Sequence, residues 1–66
     1  MSEEFEEKRF GGVAIEKGFI SMDQLVEGLE IQAEENEQGI HRVIGSILVE
    51  KGYMDLLQVQ EVLEDM

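Results

Sequence analysis

One eight-residue phrase occurs twice in the chain, and it restricts the possible folds more than any other feature. Residues 11–18 read GGVAIEKG and residues 45–52 read GSILVEKG, an offset of 34 positions. The offset persists beyond the phrase. Phe19 is matched by Tyr53, Ile20 by Met54, and Ser21 by Asp55. Laying 11–32 over 45–66 gives identity at eight of 22 positions: Gly11, Glu16, Lys17, Gly18, Gln24, Glu27, Leu29 and Glu30 equal their partners. Substituted positions such as Val13/Ile47, Ile15/Val49 and Leu25/Val59 stay apolar. A period of this length marks a duplicated supersecondary unit, here a helix–turn–helix.

Local signals place four helices. The first covers 2–17, starting at Ser2 with Glu3 and Glu4 in the first turn, where the helix dipole favours negative charge. Phe10, Val13, Ala14 and Lys17 follow an i, i+3, i+4, i+7 pattern. Gly11-Gly12 either admits a second backbone at close range or marks the true helix start. Gly18 stands where a left-handed residue ends a helix. The second helix begins after Ser21, with Ser21 and Gln24 forming a capping box and Ile20 and Leu25 a hydrophobic staple. It is expected to end near Glu35 or Asn36, leaving 36–41 as the connection. The third helix is expected over 40–51, on the stripe Ile40, Val43/Ile44, Ile47/Leu48, with Gly52 repeating the role of Gly18. Asp55 caps the fourth, with Met54 and Val59 as its staple and Leu56, Val59, Val62/Leu63 and Met66 as its apolar face. The expected core is Phe10/Ile44, Val13/Ile47, Ala14/Leu48, Leu25/Val59 and Leu29/Leu63. The β-branched residues at 43, 44, 47 and 49 suit a strand, but the spacing and caps favour helix.

Size and charge limit the function. Sixty-six residues without cysteine or proline form a single domain, 1–66, with no disulfide or thiolate–metal staple. A core of this size supplies no more than ~3–5 kcal/mol on its own, so either the helix packing is efficient or a homodimer adds buried area. No apolar run approaches the ~20 residues of a membrane span, and the acidic N-terminus lacks the apolar stretch of a signal peptide. A cytoplasmic protein without membrane insertion is expected. The net charge of −11, from 16 acidic and five basic residues, repels nucleic acid and suits a partner with a basic surface. Most of the acids read as solvated helix faces.

The search for catalytic chemistry is short. Ser2 and Ser46 have no evident base, and Ser21 is committed to capping. The lone His41 beside a connection reads as a solvated side chain, although it has the chemistry of a pH sensor or metal ligand. Glu34-Glu35 lacks the alternating ligands and central glycine of a calcium loop. Met1 reads as the start residue and Met22, Met54 and Met66 as core filling, with Met22 and Met54 alternatively an adaptable binding surface. A non-enzymatic protein is expected.

From Arg9 the first unit reads RFGGVAIEKGFISMDQLVEGLEIQ. This resembles the repeated N-terminal motif of type II secretion and type IV pilus assembly ATPases, which has the form R-L-G, two apolar positions, G, two apolar positions, then L…L…Q. The resemblance covers 9–66, with units 9–32 and 43–66. It implies a small all-α domain of two tandem helix–turn–helix units forming a four-helix bundle. In that family some copies bind cyclic di-GMP and others dock onto a membrane partner. By resemblance, Arg9 would reach a guanine edge and Gln32 add a polar contact. Gly11 would permit close backbone approach and Leu25 and Leu29 line apolar contacts, with Phe10 and Gly18 completing the motif. The second unit departs: Val43 stands at the Arg position with Arg42 one residue early, about 100° round a helix, and Met66 stands at the Gln position. An ATPase does not fit in this length. The expectation is therefore a protein-docking module without a cofactor, the alternatives being a cyclic-di-GMP receptor with a degenerate second half-site or a structural dimerisation unit.

Overall fold

The computed structural model describes the backbone of residues 2–66 and the side chains from Arg9 onward; the readings of Met1 and of the Ser2 side chain lie outside the described residues. Four helices follow in order: α1 Ser2–Glu16, α2 Met22–Glu37, α3 Ile44–Glu50 and α4 Leu56–Glu64. There is no strand among the described residues. The fold is all-α and consistent with a four-helix bundle.

The repeated phrase closes each unit's first helix in the same way. Gly18 and Gly52 take φ of +79° and +82°, a region that costs other residues strain. The amides of Gly18 and Phe19 bond the carbonyls of Ile15 (2.9 Å) and Ala14 (3.0 Å), and those of Gly52 and Tyr53 bond Val49 (3.0 Å) and Leu48 (2.9 Å). Both are Schellman motifs, which satisfy carbonyls the helix end would leave unbonded. The next helix then starts on a reciprocal cap. Ser21 Oγ accepts from Gln24 N–H (3.2 Å) while Gln24 Oε1 accepts from Ser21 N–H (2.9 Å). Asp55 and Gln58 repeat this at 2.8 and 3.1 Å.

The packing crosses between the units. Helix α2 lies along α3, α1 lies along α4, and α1 also touches α3. Two lysines repeat the crossing: Lys17 at the end of α1 pairs with Asp65 after α4, and Lys51 after α3 pairs with Glu27 of α2 at 3.0 Å. Side-chain size is matched across the crossing. A Cβ on Gly28 would stand 2.9 Å from Ile44 Cδ1 and 3.2 Å from Leu48 Cδ2, so α2 is small where α3 is large. At the equivalent places α4 carries the fully buried Val62 and α1 the small Ala14. Phe10, Ala14, Ile20, Leu25, Ile44, Leu48, Met54 and Val62 form the core cluster, with Ile47 also fully buried.

Several expectations are corrected. Leu63 is 57% exposed, because α4 turns Val62 inward, one residue and about 100° away. Leu29, Val13 and Val59 are only half-buried, while Ile20 and Met54, expected as staples, belong to the core. Helix α2 continues to Glu37 and ends in a third Schellman motif. There Gly39 takes φ +84°, and its amide and that of Ile40 bond the carbonyls of Asn36 and Glu35. The connection is thus 38–43 rather than 36–41, and α3 starts at Ile44 rather than residue 40. In a helix begun at 40, the Ser46 amide would bond the Arg42 carbonyl. It bonds Val43 instead (3.1 Å), because the extended backbone at Val43 takes the preceding peptide out of the helical line, where the Arg42 carbonyl accepts from Gln32 Nε2 at 2.9 Å. Val43 is the N-cap of α3, extended at φ −77° and ψ 154°. Ile40, expected on the helical stripe, is exposed. The Gly11-Gly12 pair neither breaks nor starts α1. Gly11 makes room for a side chain rather than a backbone: its Cβ would stand 2.6 Å from Leu25 Cδ2.

Candidate functional site

The motif residues of the first unit are drawn into the fold. Phe10 and Leu25 are buried in the core, Leu29 is half-buried against it, and Gly11 is covered by Leu25. Gln32, 8% exposed, spends its amide on the Arg42 carbonyl. Gly18 serves the turn, and Arg9 is exposed on α1. Only Arg9 keeps the open disposition that the resemblance implies for a ligand contact.

Arg42, one place ahead of the motif position in the second unit, is occupied by the protein's own acids. Its Nε donates to Glu35 Oε1 at 2.9 Å and one terminal nitrogen to Glu35 Oε2 at 2.6 Å, while the other reaches Glu50 at 2.8 Å. Two parallel N–H···O bonds between a planar guanidinium and a carboxylate form a geometrically specific pair. Arg42 holds the Glu35 carboxyl below the usual carboxylate range, and Glu35 and Glu50 push the guanidinium further up. On the same α2–α3 seam, Tyr53 Oη donates to Glu27 at 2.6 Å. That bond, with the Lys51 ammonium, lowers Glu27, and Glu27 in turn raises both Tyr53 and Lys51. These are clamps between the two units, and they consume cations that would otherwise face solvent.

The open concavity lies on the second unit. A groove of about 580 Å³ is bounded by Val43–Ser46 and Val49 on one side and by Leu56, Val59, Leu63 and Met66 on the other. Phe10 is the first unit's contribution, its ring tip 3.3 Å from where a Gly45 Cβ would stand. Shifted by 34 positions, the second-unit lining is the image of Arg9, Phe10, Gly11, Gly12, Ile15, Met22, Leu25, Leu29 and Gln32. The motif face has thus been kept and made apolar, with Val43 in place of Arg and Met66 in place of Gln. Three of its residues remain widely exposed: Val43 at 62%, Leu56 at 74% and Leu63 at 57%. Large apolar side chains gathered around a concavity mark a binding surface, whereas scattered ones need no explanation. The groove is hidden in the sequence because the periodicity assigns Leu63 to the core and Val43 to a helical stripe. The available signal was the substitution of apolar for polar residues at two motif positions of a single unit.

The remaining candidates carry less. His41 is exposed and its Nδ1 lies 3.1 Å from Asn36 Oδ1. Met54 is core and Met22 surface. Among the described residues no group of three or more His, Asp or Glu side chains is placed to hold a metal, and no helix is long and apolar enough to cross a membrane. Comparison of the chain with protein-family models, with curated proteins and with solved structures returned no match.

Proposed function

We propose that this protein is a non-enzymatic docking module that receives a protein partner in the apolar groove of its second unit. The observation that carries the proposal is the groove itself: exposed Val43, Leu56 and Leu63 surround a concavity of about 580 Å³, and exposed apolar side chains gathered in this way mark interaction surfaces. The resemblance of 9–66 to the N-terminal domains of secretion and pilus ATPases supports it, since some of those domains dock onto partners. The other use in that family, cyclic di-GMP binding, needs hydrogen bonds to a polar, dianionic ligand. Gln32 is already bonded to Arg42, Arg42 to Glu35 and Glu50, and Val43 and Met66 offer none. Each unsatisfied ligand group left against an apolar side chain costs ~1–3 kcal/mol, and two such losses amount to a few powers of ten in affinity. Calorimetric titration with cyclic di-GMP separates the readings. The docking reading expects no saturable heat at micromolar protein, whereas sub-micromolar binding abolished by Arg9→Ala would establish the nucleotide reading.

A further inference from the structure

We infer that the occupant of this groove is an amphipathic helix of a partner protein, with Lys or Arg flanking its apolar stripe. The inference rests on the docking reading and adds the shape and charge of the partner. Shape comes from the groove walls. Leu56, Val59 and Leu63 run along α4, a helix about 13 Å long at 1.5 Å per residue, with Met66 just beyond its end, opposite the start of α3. That length admits the i, i+3/i+4, i+7 anchors of a second helix. An extended peptide binds chiefly by adding a strand to a sheet edge, and the described residues contain no strand to extend.

Charge comes from what the fold does with its cations. Lys17, Arg42 and Lys51 are each paired with acids of the chain itself, at Asp65, Glu35 with Glu50, and Glu27. The excess that remains is acidic. Exposed Asp55 and Glu64 adjoin the groove residues Leu56 and Leu63 along the chain, and exposed Arg9 adjoins Phe10. A partner helix carrying Lys or Arg beside its apolar stripe meets attraction where it seats. A second copy of this chain brings another −11 to the same contact, so self-association is the disfavoured way to cover the groove.

The probe is a synthetic 14-residue helical peptide with leucines at i, i+4, i+7 and i+11 and lysines elsewhere, labelled for fluorescence anisotropy. A companion peptide replaces every lysine by glutamate. The protein is tested as its natural chain and as Leu56→Ser with Leu63→Ser, a charge-neutral change at two exposed side chains, its folding checked by circular dichroism. The expected result is binding of the lysine peptide that weakens at least tenfold in the double variant and again as salt is raised, with the glutamate peptide at least tenfold weaker. Equal, groove-dependent binding of both peptides would overturn the charge assignment while leaving the docking reading standing. Lysine-peptide binding unchanged in the double variant would overturn both. Sedimentation of the natural chain as a dimer that the double variant abolishes would assign the groove to a second copy and overturn the inference.

Discussion

Leu48 of α3 and Leu63 of α4 are the same residue type in opposite environments, one fully buried and the other 57% exposed. Leu48→Ala removes packing from the α2–α3 seam and is expected to cost ~2–5 kcal/mol in urea denaturation. Leu63→Ala is expected to stay within about 0.5 kcal/mol of the natural chain, as substitutions at exposed sites do. A reversed order would mean that α4 buries a different face. Glu35 supplies a pH test with a defined sign. Its folded pKa lies below the ordinary value of 4.5 because Arg42 stabilises the carboxylate. Its contribution is therefore complete above the unfolded value and is lost as pH falls through the folded one. The melting temperature of the natural chain should exceed that of Glu35→Gln at pH 7, and the gap should narrow progressively as the pH falls below the ordinary carboxylate value of 4.5. A gap that stays constant would show that the Glu35–Arg42 pair contributes through packing rather than charge.

At the scale of elements, the caps and turns were legible because they are local. Ser21 with Gln24, and Gly18 and Gly52 after their lysines, specify their geometry within five residues, and the structure places them as the sequence implies. The start of α3 was not legible. Its position depends on Gln32 taking the Arg42 carbonyl ten residues away and on Arg42 clasping Glu35, contacts that no periodicity records. The groove was legible only in part. Val43 and Met66 stood out as departures from the motif, but that they bound an open surface depends on how α4 rotates against α1. The pairing of helices between units was not legible either, since a tandem repeat is equally compatible with two self-contained hairpins. It has a direct consequence. Peptides covering 1–39 and 40–66 each lose the α1–α4 and α2–α3 contacts, and helices without tertiary packing are marginal in water. Each peptide alone is expected to show weak helicity and no cooperative melt by circular dichroism, and an equimolar mixture to recover both. A cooperative transition in either half alone would contradict the crossed packing.

For the molecule as a whole, the duplication has produced two units with one backbone plan and unequal surfaces. The first turns most of its motif residues inward, with Gln32 bonded to the Arg42 carbonyl and Leu25 packed over Gly11. The second leaves the same face open and apolar within a strongly acidic protein. The docking proposed above makes use of this asymmetry, seating the partner in the second unit's groove and not at the first unit's Arg9. The most direct measurement is an amide chemical-shift map of the isotopically labelled chain titrated with the lysine-bearing amphipathic peptide. The largest shifts are expected on Val43, Gly45, Ser46, Leu56, Leu63 and Met66, with Arg9, Gly18 and Glu30 little changed. Shifts centred on Arg9 and Gly18, or spread evenly over the acidic surface with the groove unaffected, would contradict the proposed docking.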